Sequence, residues 1–316
     1  MSDISPWKAI AFQLAPRVIK AKVLKHAENK KIAHWQECYK TKIAKEDVDN
    51  LFSQLALDSD VMIHSSLPDI GNIRLKHITD NLKKYVLDTG HTILCPAIPI
   101  KGSSLDYLKS IKEFDVRTAP NAMGALSCFY GRQEGARRSM SPTHSVIALG
   151  AKSTYYTEEH HLDETPFTDK SPYFKLIVNK GKILMFGATL KNFTFNHVLE
   201  DLIGEEFFPI RVYDPHRFEI IIIDESGTRI YKRFRAHSHR NSRLHDGLEI
   251  MTKVYTLPSS KVIHLGCGEV LMLDAKDVCL CLLKNLKEGL SIYGHRKVSL
   301  ECRRRADYWI DYFEKL

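Results

Sequence analysis

Four short and almost continuously apolar runs limit what this chain can fold into: DVMIHSS (60–66), TILCPAI (92–98), HSVIALG (144–150) and KILMFGA (182–188). A strand with one wet face alternates apolar and polar residues. A continuous run needs cover on both faces. The segments between the runs supply that cover. Val48, Leu51, Phe52 and Leu55 form an i, i+3, i+4, i+7 stripe. Ile78, Leu82 and Val86 form a second helical face, with Gly90 as its stop. In SPYFKLIVNKG, Ser171 is placed to cap, Pro172 takes the first turn and Gly181 follows the end. Strands alternating with helices predict an α/β fold with a mostly parallel central sheet flanked by helices. After residue 205 the pattern changes. RFEIIIID and TRIYKRFRAH, separated by ESG, read as an antiparallel hairpin. VIHLG and EVLMLDA read as further strands, AKDVCLCLLKNLKEGL and the final stretch as helices. An antiparallel β region is therefore added in the C-terminal third. Residues 1–45 are basic and helix-leaning, an extension ahead of one α/β domain over 46–316.

No apolar run approaches the roughly 20 residues that span a bilayer, and the first 20 residues lack the pattern of a secretion signal. Seven scattered cysteines without a C-x-x-C pair indicate free thiols in a cytoplasmic protein, neither a zinc site nor a disulfide framework. The net charge of +8 suits anionic small molecules. No basic stripe is interleaved with stacking aromatics, so a nucleic-acid partner is not expected.

TFNHVLE (194–200) follows the fourth apolar run. In a helix starting there, His197 and Glu200 share a face one turn apart, and Thr194 is the natural N-cap. A neutral imidazole held by a carboxylate is equipped to be a general base. The same residues also suit a plain capped helix, in which His197 packs and Glu200 meets the dipole.

Four blocks, in order, carry a resemblance: VMIHSSLPDIG (61–71), FDVRTAPNAMGALSCFYGRQEGARRSMSPTHSVIALG (114–150), HLDETPFTDKSPYFKL (161–176) and KILMFGATLKNFTFNHVLE (182–200). Together they resemble the aminoglycoside 3-N-acetyltransferase family, which moves an acetyl group from acetyl-CoA to a sugar amine. The resemblance covers 61 to 200. It implies that His197 is the base, oriented by Glu200, with Thr194 in front. No covalent intermediate and no catalytic cysteine is implied.

It further implies an acyl-CoA site at Ser65, Ser66 and Leu67, although serines after a strand also serve as caps. Arg138, Ser139 and Ser145 match the family's later cofactor positions, where an arginine suits a CoA phosphate. Asp115 and His161 match positions for the amine-bearing substrate, while an aspartate before a loop is also a common cap. Val116, Ala119 and Ser141 depart from the family pattern in this ligand-contacting segment.

The expectation is an acetyl-CoA-dependent N-acetyltransferase, without a metal, acting on a small-molecule amino sugar. The positive charge favours a nucleotide-linked sugar or glycan precursor as acceptor. The alternatives are an aminoglycoside 3-N-acetyltransferase conferring antibiotic resistance and a non-catalytic CoA-binding scaffold. A homodimer is among the assemblies left open.

Overall fold

The computed structural model describes residues 17–100, 102–239 and 244–316. In chain order the elements begin with α1 (Arg17–Tyr39), α2 (Lys45–Leu55), β1 (Val61–Ser65), α3 (Leu75–Leu82), β2 (Thr92–Pro96), α4 (Ser104–Ser110) and β3 (Glu113–Asp115). Next come α5 (Ala125–Tyr130), β4 (Arg137–Arg138), β5 (Val146–Gly150), α6 (Ser153–Thr157), α7 (Pro172–Val178), β6 (Lys182–Phe186) and α8 (Val198–Ile203). The last third holds β7 (Phe218–Ile223), β8 (Arg229–Phe234), α9 (Leu248–Tyr255), β9 (Lys261–Leu265) and β10 (Gly268–Asp274). It closes with α10 (Ala275–Lys287), β11 (Leu290–Ser291), β12 (Gly294–His295) and α11 (Leu300–Glu314).

A seven-stranded mixed sheet runs in the order β4-β5-β2-β1-β6-β10-β9. Its centre, β2-β1-β6, is parallel, while β5, β4, β10 and β9 join antiparallel. The apolar runs are buried as expected. Met62, Leu94, Ile183 and Met185 face one core with α7, α8, α10 and α11. Val61, Ile63, Ile93, Leu184 and Phe186 face a second core with α2 and α3.

The expected helix signals are in place: Ser171 caps α7 by accepting from the Phe174 amide at 3.1 Å, and Val48, Leu51, Phe52 and Leu55 are all buried. The hairpin forms as β7 and β8, and β3 adds to it in parallel as a separate three-stranded sheet with its own core. VIHLG and EVLMLDA form β9 and β10, which extend the main sheet instead of the smaller one.

In the N-terminal extension, α1 rests on the turn after β1, where Trp35 Nε1 donates to Asp69 Oδ1 at 2.9 Å. All seven cysteines are free. No helix among the described residues is long and apolar enough to cross a membrane.

β1 and β6 are parallel neighbours in register from Val61↔Lys182 to Ser65↔Phe186, so both end on the same sheet edge. The backbones after them touch. Gly187 has φ +70°, and a Cβ there would lie 2.5 Å from the Ser66 carbonyl oxygen. Only glycine tolerates both constraints. This contact brings the Ser65–Leu67 loop beside the chain that leads to His197.

Candidate active site

The T-x-x-H-x-x-E stretch folds differently from the expected capped helix in one respect. Thr194–His197 is a 3₁₀ turn preceded by Phe193, and α8 starts only at Val198 with His197 at its cap position. Thr194 is therefore not the N-cap, and no side chain caps α8. The reason is packing: Phe193, Phe195 and Val198 all enter the core, and the tighter turn brings all three inward. The spacing of His197 and Glu200 survives the change.

Glu200 is the centre of the site. Its side chain is 1% exposed and makes three side-chain hydrogen bonds. His197 Nδ1 lies 2.8 Å and the Tyr293 hydroxyl 2.5 Å from Oε1, and His237 Nε2 lies 2.7 Å from Oε2. Burial alone would raise the Glu200 carboxyl, but the charges and hydrogen bonds of His197 and His237 outweigh it and hold it well below the usual carboxylate range. An ionised carboxylate only accepts, so the contact protons sit on Nδ1 of His197 and Nε2 of His237. Nε2 of His197 is the ring nitrogen that Glu200 does not engage.

Aromatic rings fix the imidazoles. Phe167 stacks on His197 at 5.5 Å and 29°, and Asp201 Oδ2 holds Phe167 by accepting from its amide at 2.7 Å. Tyr213 stacks on His237 at 4.7 Å and 23°. His144 meets His237 edge-on at 5.6 Å, and His245 lies 5.7 Å from His197.

The donor atoms of His197, Glu200 and His237 lie within 4.8 Å of one another, the residue types of a two-histidine, one-carboxylate metal centre. Here both imidazole–carboxylate contacts have hydrogen-bond length, so the three groups satisfy one another.

The remaining predicted residues lie in several places. Ser65, Ser66 and Leu67 stand at the carboxyl edge of β1, half-buried, with Ser66 Oγ donating to Asp69. Arg138, Ser139 and Ser145 brace the framework. The Arg138 guanidinium donates to the carbonyls of Ala97, Ala119 and Pro120 and, through Nε, to Ser145 Oγ at 3.0 Å. Burial lowers it to about 10. Ser145 Oγ donates to Ala97 O at 2.8 Å, and Ser139 Oγ contacts His160 Nδ1 at 2.8 Å while accepting from the Val146 amide. Both serines are fully buried.

Asp115 ends β3 and is clamped by Arg117 through Nε at 2.9 Å and NH2 at 2.7 Å. His161 is buried near Lys232 and Asp224 of the hairpin. Of the departures from the family pattern, Val116 and Ser141 are buried, and Ser141 Oγ accepts from the His144 amide at 3.4 Å.

His237, Tyr293, His144 and Phe167 were not singled out from sequence. The available signal was in KRFRAHS, where Phe234 and Ala236 are apolar at alternate positions inside a basic run. Both are buried.

Two deeply buried histidines give a pH prediction. Burial pushes His64 and His160 down to about 4. Their folded values lie below the unfolded value of about 6.5, so the unfolded chain binds more protons between those limits. The stability they allow is complete above about pH 6.5 and is lost as pH falls toward 4. At pH 5 each histidine costs about 2 kcal/mol. Urea unfolding should show a midpoint clearly lower at pH 5 than at pH 7.5, and His160→Gln should flatten that dependence. Equal midpoints at both pH values would contradict these environments.

Fold and site together define a class: an α/β protein with a buried histidine–carboxylate cluster and, at the carboxyl edge of a parallel sheet centre, a serine-bearing loop. The family model described as aminoglycoside 3-N-acetyltransferase matches residues 62–287, and the chain belongs to that family. Aminoglycoside N(3)-acetyltransferase VII of Streptomyces paromomycinus is 34% identical over 106 residues, 33% of each chain. Aminoglycoside N(3)-acetyltransferase III of a Salmonella species is 30% identical over 154 residues, 44% of this chain and 53% of that one. The matched stretch thus spans a third to about half of these curated relatives. The crystal structure of aminoglycoside acetyltransferase AAC(3)-Xa superposes with TM-score 0.61 at 21% identity, covering 80% of this chain and 94% of that one. AAC-IIIb in a binary complex with CoASH gives 0.58 at 20%, covering 86% and 96%. At these identities the structures establish the shared fold.

Proposed function

We propose that the protein is an acetyl-CoA-dependent N-acetyltransferase whose acceptor is an amine of an aminoglycoside, the 3-amino group by family. The observation that carries this reading is the Glu200-bound His197, with Nε2 not engaged by Glu200, on the chain that leaves the sheet edge where the Ser65–Leu67 loop lies. In α/β sheets that edge collects ligands. The acceptor ammonium loses a proton to His197 Nε2, and its nitrogen attacks the thioester carbonyl of acetyl-CoA. The tetrahedral intermediate expels the CoA sulfur, which takes up the proton held by His197 and leaves as the thiol, while the nitrogen sheds its second proton to water to give the neutral amide. Glu200 stabilises the imidazolium as it forms. Arg138 acts by holding the loops after β2 and β3 through their carbonyls, and this bracing supports the cofactor edge indirectly.

The charge argument for a nucleotide-linked acceptor does not carry over to the site. In the basic run 229–239, Arg233 faces Glu164, which also binds Arg217, and Arg235 forms two hydrogen bonds to Glu205. Part of the positive charge is thus offset by local carboxylates, so the net +8 is no guide to the cleft. The family favours aminoglycosides instead.

The test has two parts: calorimetry with CoA and acetyl-CoA, then acetyl transfer to a panel of aminoglycosides and nucleotide-linked amino sugars. Cofactor binding in the micromolar range and turnover of aminoglycosides are expected. No binding at millimolar cofactor would end the acetyltransferase reading. Turnover confined to nucleotide-linked sugars would overturn the acceptor.

A further inference from the structure

We propose that Cys267 and Cys38 form a reversible dithiol site that takes a low-molecular-weight disulfide of the glutathione type and closes into a bridge between α1 and the β9–β10 turn. The site lies outside the Glu200 cluster and does not depend on the acetyltransferase reading. Cys267 sits in that turn and is the one exposed cysteine of the seven, while Cys38, in the last turn of α1, is 2% exposed. Three backbone segments converge here. Cys267 N donates to Ile70 O, Asn72 N to Thr41 O and Thr41 N to Cys38 O, each at 2.9 Å. A Cβ on Gly71 would lie 3.2 Å from Cys38 O, and one on Gly266 2.3 Å from Ile70 O. The turn, the loop after β1 and the end of α1 are thus stacked at backbone contact. Among them the Thr41 hydroxyl lies 3.3 Å from Cys267 Sγ, and the two thiols interact with each other.

The pair is asymmetric, and the asymmetry sets the order of events. Burial, the Cys267 thiol and the carboxylates of Asp69 and Glu37 push the Cys38 thiol up to about 11. Covered and protonated, it is not the first to react. Cys267 is the sulfur that a reagent can reach. Its thiolate attacks the disulfide RSSR, forms Cys267–S–S–R and releases RS⁻, which takes up a proton as RSH. Cys38 then gives its proton to the His34 imidazole, whose ring nitrogens lie 3.6 and 3.8 Å from its sulfur, and attacks the Cys267 sulfur. The Cys38–Cys267 bond forms as the second RS⁻ leaves and takes up that proton. Two electrons pass from the protein thiols to RSSR, and two RSH result.

The bridge fastens the N-terminal extension. Without it, α1 is held at this end by Trp35 Nε1 donating to Asp69 Oδ1 and by His34 Nε2 at 3.5 Å from the same oxygen. Asp69 in turn accepts from Ser66 Oγ in the loop after β1. Contacts of this kind at a surface open readily. A covalent link between positions this far apart in the chain removes much of the freedom that opening would release.

The experiment compares the full-length parent with Cys267→Ser and Cys38→Ser, each held in reduced glutathione and then in glutathione disulfide. Intact mass and non-reducing peptide mapping read the thiols. The oxidised parent should lose the mass of two hydrogens and yield a peptide pair joined through Cys38 and Cys267, reversed by dithiothreitol. Cys38→Ser should stop at the glutathione adduct on Cys267, and Cys267→Ser should take up none. Trypsin cleavage after Lys40 and Lys42, read under reducing conditions after quenching, should slow by at least roughly tenfold on oxidation of the parent and stay unchanged in Cys267→Ser.

An unreactive parent, a lasting glutathione adduct on its Cys267, a bridge through a different cysteine, or equal cleavage of the oxidised and reduced parent would each overturn the proposal. If Cys38→Ser does not fold, the parent and Cys267→Ser, altered only at an exposed position, decide it by the same readouts.

Discussion

His197→Ala should lower kcat/KM for acetyl transfer by a factor of roughly 10² to 10⁴ while the fold persists. The size follows from the role proposed for it, a proton acceptor whose Nδ1 is held by Glu200. The fold should persist because Glu200 keeps His237 and Tyr293 as donors, and the His197 ring is removed from a partly exposed place. Thermal unfolding and acetyl-CoA calorimetry should therefore stay near the parent while the rate collapses. A variant within a few-fold of parent activity would remove His197 from the role of base.

Glu200→Ala should behave in the opposite way, failing in stability as well as rate. The carboxylate is buried and hydrogen-bonded by three side chains drawn from a turn, a loop after β8 and the β11–β12 connection. Removing it leaves donors without an acceptor and opens a polar void. Breaking a buried charged network from one side costs about 3–5 kcal/mol. The urea midpoint should drop accordingly, and the surviving folded fraction should be no more active than His197→Ala. If Glu200→Ala unfolds at the parental midpoint, the carboxylate does not organise its neighbours and the described cluster is wrong.

The contrast between these two residues also shows what the sequence could reveal. His197 and Glu200 were legible because a 3₁₀ turn and an α-helix both place i and i+3 near each other, so the wrong cap residue did no harm. The buried strands were legible because burial on both faces leaves no polar positions. Direction was not legible for β5, which reads the same as β1 although it runs antiparallel, since a covered strand looks alike either way.

Arg138 shows a different limit. A cation matched to a family cofactor position suggests a phosphate, whereas its partners here are three main-chain carbonyls and the Ser145 hydroxyl, and no residue pattern displays the carbonyls. His237 and Tyr293 were hidden for a related reason. They reach Glu200 across 37 and 93 residues, and only the folded topology brings them there.

That topology has a consequence for the protein during synthesis. Glu200 receives its second partner only after the chain has been made as far as His237, and its third only at Tyr293. A nascent chain that has completed the parallel strands and even His197 still carries a carboxylate bound on one side. Acetylating activity should thus switch on late and abruptly, and any nick that frees the segment carrying Tyr293 should silence the protein before its central sheet comes apart.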